Sequence, residues 1–109
     1  MGHQITAHEP DRKSKLGFRV EHSIAGIEES MWSGGIHELY VRLECADLDA
    51  GVSGAGDARR VTRKVIEAAL RRYCQEWLDG ETVASEVAFL AGCIAGWPGK
   101  DKSIYICFA

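Results

Sequence analysis

The sequence predicts an α+β domain, an antiparallel sheet with two helices packed on one face, in the order strand, strand, helix, helix, strand. Three observations carry that expectation. Apolar residues alternate along residues 16–20 and again along 39–45, the period of strands with one buried face. From residue 58 to residue 97 they recur every three or four positions, the period of amphipathic helices. "SIYICFA", residues 103–109, returns to alternation. With 109 residues, 46% hydrophobic and 27% charged, the chain can bury one core but not a second independent module.

Residues 1–15, "MGHQITAHEPDRKSK", are polar and carry Pro10, so they are expected as an N-terminal arm ahead of a single domain spanning 16–109. Within the arm, "QITAH" has the alternation of a short edge strand. Residues 16–28 place Leu16, Phe18 and Val20, then Ile24 and Ile27, in a strand disturbed near Ala25 and Gly26. Ser33, Gly34 and Gly35 supply a tight connection. Residues 36–48 then put Leu39, Val41, Leu43 and Cys45 on one face and Glu38, Tyr40, Arg42 and Glu44 on the other, which predicts the second strand of a hairpin.

"DAGVSGAGDARR" reads as a loop ending at Asp57, whose carboxylate is placed to cap a helix. That helix is expected over residues 58–78, because Val61, Val65, Ala69, Tyr73 and Trp77 repeat every four residues, flanked by Ile66, Leu70 and Cys74. Arg59, Arg60, Arg63, Lys64, Arg71 and Arg72 lie off the stripe. Asp79-Gly80 ends it. A second helix is expected to begin near Thr82, with Val83, Val87, Leu90, Ile94 and Trp97 in register and Trp97-Pro98-Gly99 as its stop. The final strand carries Ile104, Ile106 and Phe108 on one face. So small a sheet leaves long unpaired edges, which favours a homo-oligomer.

A formal net charge of −3 argues against a general nucleic-acid backbone binder. No stretch approaches the ~20 apolar residues of a membrane helix, and no apolar run follows a basic start, so a cytoplasmic protein is expected. Cys45, Cys74, Cys93 and Cys107 form no C-x-x-C pair and lie among apolar neighbours, as buried free thiols do. "GVSGAGD" lacks the Gly-Lys-Ser/Thr ending of a phosphate loop, and Asp57 opposes an anion there. The arginine-rich helix face is diluted by Glu67, Glu76 and Asp79 and reads as solvated surface.

His22 and His37 fall near the ends of the two expected hairpin strands. Two neutral imidazoles converging across such a pair can take two positions of a zinc site; the plainer reading is a pair of surface histidines. "FRVEHSIAG", then "HELYVRL" beginning fifteen residues after His22, "DLDAGV", a long helix and "ETVASEVAFLAGCIAG" together resemble the family of 6-pyruvoyl-tetrahydropterin and 6-carboxy-tetrahydropterin synthases. The resemblance covers most of residues 17–109. It implies a T-fold, with two strands, two helices and two more strands assembled into barrels, and zinc held by three histidines. His22 matches the first of these and His37 the second. Leu39 stands where the third belongs, and Glu38 takes a ligand position if the register shifts by one. Ser33 falls near the family's nucleophilic cysteine and is a poorer nucleophile. The later catalytic histidine has no counterpart after His37, and the substrate-anchoring glutamate has none before Ala109.

The resemblance therefore implies a divergent member with an incomplete metal and catalytic set that binds a small planar ring; an active one would be a lyase or cyclase. A different class competes: a small non-enzymatic interaction protein, such as a phage-encoded inhibitor, an immunity protein or a regulatory subunit. It would act through a sheet edge or the basic helix face.

Overall fold

A computed structural model describes residues 2–15, 17–30, 38–39, 41–44, 57–99 and 102–108. The polar N-terminal stretch is the first strand, β1 (Gly2–Pro10), because Ile5 and Ala7 alternate onto one face and are completely buried there. The expected arm is thus corrected: β1 is an interior strand, flanked by β2 (Phe18–Ser30) on one side and by the C-terminal strand on the other. Asp11 turns the chain between β1 and β2. Its carboxylate Oδ1 accepts from the Lys13 N–H at 2.9 Å, its own N–H donates to the Gly17 carbonyl at 2.9 Å, and Gly17 adopts the left-handed φ of 86° that closes the loop.

Where they are described, the residues expected to pair with β2 form no strand. Residues 38–39 and 41–42 are helical, with the Leu43 N–H donating to the Leu39 carbonyl at 3.0 Å. Periods of two and four coincide at positions 39 and 43, and among the described residues of that face Val41 discriminates between them. Leu39 and Leu43 are 0% and 1% exposed while Val41 is 49% exposed, as one face of a helical turn requires.

β3 (Asp57–Thr62) occupies the start of the expected first helix and pairs antiparallel with β4 (Ser103–Phe108), from Asp57↔Phe108 to Thr62↔Ser103. The helix α1 (Arg63–Leu78) therefore begins five residues later than Asp57 would have it. Thr62 is its N-cap, with Oγ1 accepting from the Val65 N–H. Val61 is buried as a strand residue. The buried stripe of α1 is Ile66, Ala69 and Tyr73, and Trp77 is 52% exposed. Arg59 and Arg60 leave the expected basic helix face for β3, and Arg63 pairs with Glu67 at 2.7 Å. The second helix, α2 (Ala84–Ala95), and β4 lie close to their expected positions, so the element order gains a strand before the helix pair.

Among the described residues one four-stranded antiparallel sheet has the order β2-β1-β4-β3. Ile5 and Ala7 of β1, Ile27 of β2, Val61 of β3 and Ile104 and Ile106 of β4 form one core with Ile66, Tyr73, Val87, Leu90 and Cys93 of the helices, and Leu39 and Leu43 join it. The architecture is α+β with both helices on one sheet face. α2 lies directly against β2: a Cβ at Gly96 would sit 2.6 Å from Ile24 Cγ2, and one at Gly92 would sit 3.3 Å from Ala25 Cβ. No helix among the described residues is long and apolar enough to cross a membrane.

Candidate functional site

The face of the sheet away from the helices holds the second set of alternating residues: Thr6 and His8 of β1, Arg60 of β3, and Ser103 and Tyr105 of β4. His8 is only 6% exposed, and the strand pairing explains how. Between the pairs His8↔Ser23 and Pro10↔Phe18, Glu9 alone faces residues 19–22, so β2 bulges. The imidazole takes up the carbonyls this leaves: Nδ1 lies 2.8 Å from the Arg19 carbonyl and 3.2 Å from that of His22. Carbonyls only accept, so Nδ1 carries the proton and donates to both. In the neutral ring Nε2 then accepts from the Thr6 hydroxyl at 2.8 Å.

The bulge brings Phe18 over this strand, 5.1 Å from the His8 ring centroid and 5.3 Å from that of Tyr105, stacked on the latter at 28°. The Arg60 guanidinium stands 5.7 Å from the Tyr105 centroid and is oriented by donating from Nε to Ser103 Oγ. At the end of this row a cleft of 360 Å³ opens between Pro10, Asp11, Arg12, Gly17, Arg60 and Tyr105. A Cβ on residue 17 would come within 3.3 Å of Tyr105 Oη, so glycine there keeps the tyrosine edge of the cleft clear. A second hollow of 330 Å³ lies on the other side of the hairpin loop, at Lys13, Phe18, Arg19 and Glu21.

A separate polar cluster ties the short helical segment to α1. The Arg42 side chain, 5% exposed, donates to the carboxylates of Glu38 and Glu76 and lies 4.2 Å over the Tyr73 ring. Burial pushes the Tyr73 phenol well above its ordinary range, and its Oη has no partner among the described residues. The hydrogen bond from Arg42 holds the Glu76 carboxyl below the usual carboxylate range. This is a clamp between the helical segment and α1.

Of the expected site residues, His22 and Glu38 are among the described ones. His22 is exposed on the β2 bulge, and Glu38 is engaged by Arg42 rather than free to ligate. Ser33 and His37 lie outside the described residues. Among the described residues no three His, Cys, Asp or Glu are grouped to hold a metal. Cys74, Cys93 and Cys107 are free thiols, and burial pushes that of Cys93 up to about 12, which leaves it un-ionised and unreactive at neutral pH. Sequence reasoning missed His8, Arg60 and Tyr105. The available signal was "QITAH", whose alternation places Thr6 and His8 opposite the Ile5–Ala7 face.

Two outcomes are expected. ¹⁵N spectra of the neutral protein should show His8 as the Nδ1–H tautomer, and His8→Ala, which strips two carbonyls of their donor, should lower stability by about 1–3 kcal/mol in urea unfolding; an Nε2–H tautomer for His8 would contradict the bulge geometry. Because the Glu76 carboxyl is depressed only in the folded chain, its contribution is present above the unfolded carboxylate value and is lost as pH falls through the folded one. The urea midpoint of the native chain should therefore drop more steeply below about pH 5 than that of Glu76→Gln, and parallel curves would show that the pair contributes nothing. Comparison with protein-family models, with curated proteins and with solved structures finds no match, so the geometry above is what a reading of function has to build on.

Proposed function

We propose that the chain is a binding protein for a small planar ring, held in the cleft between Tyr105 and Arg60 at the base of the β1–β2 hairpin. The observation that carries this reading is the row His8, Phe18, Tyr105 and Arg60: a ring entering the cleft extends a stack already built, against a guanidinium that Ser103 holds in place. Pre-orientation matters because a side chain that is already ordered loses little entropy on binding. The pterin-synthase resemblance supports the same ligand class, with the metal and catalytic set of that family incomplete. Titration with a pterin, followed by ¹H–¹⁵N spectra, should move the amides of Arg12, Gly17, Arg60 and Tyr105 first. Tyr105→Leu should weaken binding roughly tenfold, the scale of one aromatic stack. Shifts confined to other residues would sink this assignment.

A second reading, the non-enzymatic interaction protein, is favoured by β2. It is thirteen residues long and, among the described residues, bonds to a strand on one side only. Beside its open edge a hollow lies between Ala25, Ile27 and Glu28 of β2 and Ser85, Ala88 and Phe89 of α2. A second copy adding a strand there would place side chains in that hollow. Light scattering should then give a mass above one copy that falls to one copy in Ala88→Arg; a one-copy mass for both forms would exclude self-association along β2.

A further inference from the structure

We infer that the ligand of the Tyr105 cleft carries a phosphate beside its ring, as a mononucleotide does; this rests on the ring-binding reading above. The cleft is lined by two arginines, Arg12 from the hairpin loop and Arg60 from β3, and by one acid, Asp11. Asp11 already turns Oδ1 to the Lys13 N–H, where it holds the loop together. Arg60 uses Nε on Ser103, and the end of its fork, with two terminal nitrogens, suits two oxygens of one anion. Two arginines against one acid give the lining of the cleft a net positive charge although the chain as a whole is at −3. A neutral ring would satisfy Tyr105 and leave the charge of both arginines unmatched. A ring with a dianionic substituent satisfies all three.

The arrangement also divides the work between residues. Tyr105, backed by Phe18, recognises the ring, while Arg12 and Arg60 recognise the phosphate. Removing the arginine charges therefore abolishes the preference for the phosphorylated ligand, while the bare ring keeps its stack on Tyr105 and loses only the contact that Arg60 makes with it.

The test is calorimetric titration of the full chain with guanosine, guanosine 5′-monophosphate and inorganic phosphate, repeated on an Arg12→Gln, Arg60→Gln double variant. The His8 Nδ1–H resonance of each sample reports that the fold is intact. The monophosphate is expected to bind at least about tenfold tighter than guanosine, with an advantage that shrinks as salt rises. In the double variant the two should bind equally, and any fall in guanosine affinity measures the contact of Arg60 with the ring. Equal binding of both by the native chain would overturn the phosphate inference and leave ring binding standing. Binding of neither would overturn both. Inorganic phosphate binding as tightly as the monophosphate would make the cleft an anion site in which the ring plays no part, and would overturn the proposal as stated.

Discussion

The pairing of the first strand with the last holds this structure together. β1 and β4 run antiparallel from Ile5↔Phe108 to His8↔Tyr105, and that ladder is the only strand pairing among the described residues that joins the β1–β2 hairpin to the β3–α1–α2–β4 unit. Bringing residues so far apart in the chain together carries a loop-closure cost, offset by burying Ile5, Ala7, Ile104 and Ile106 against both helices. The same ladder sets Tyr105 beside His8, and so creates the aromatic row on the other face.

That face shows how an interior strand can carry a histidine without destabilising the sheet. An imidazole in the middle of a sheet needs partners for both nitrogens, and β1 offers only the Thr6 hydroxyl. The remaining partners come from the bulge in β2, whose carbonyls at Arg19 and His22 turn onto Nδ1. The bulge and the histidine are therefore one feature, each satisfying what the other leaves open. Its by-product is Phe18, carried over the strand and stacked on Tyr105, and the hairpin loop beyond it, which walls the cleft.

Elements with a unique pattern were legible in the sequence. α2 is bounded by Trp97-Pro98-Gly99, and β4 alternates with no competing period, so both were placed close to where they lie. Residues 36–48 misled because Leu39 and Leu43 satisfy both periods, and a single residue, Val41, decides between them. Residues 57–62 misled because Val61 falls in step with the helical stripe that follows, although its burial comes from pairing opposite Ile104. Asp57 looks like a cap, but Thr62, five residues on, has the hydroxyl that does the capping. For the site, the sequence drew attention to His22 and Glu38, which the structure leaves on the surface and in an ion pair, and passed over His8.

By itself, the sequence determined the α+β class, the presence of two long helices, the last strand and the free thiols of Cys74, Cys93 and Cys107, because each depends on local periodicity or on residue type. Of these thiols only that of Cys93 is buried as expected, and Cys45 lies outside the described residues. The tertiary structure alone decided the strand order, the burial of His8 and the meeting of Phe18, Tyr105, Arg60 and Arg12. These depend on contacts between residues far apart in the chain, such as Ile5↔Phe108, and on a bulge that is a property of two strands together. No periodicity within one segment encodes which strand becomes its neighbour.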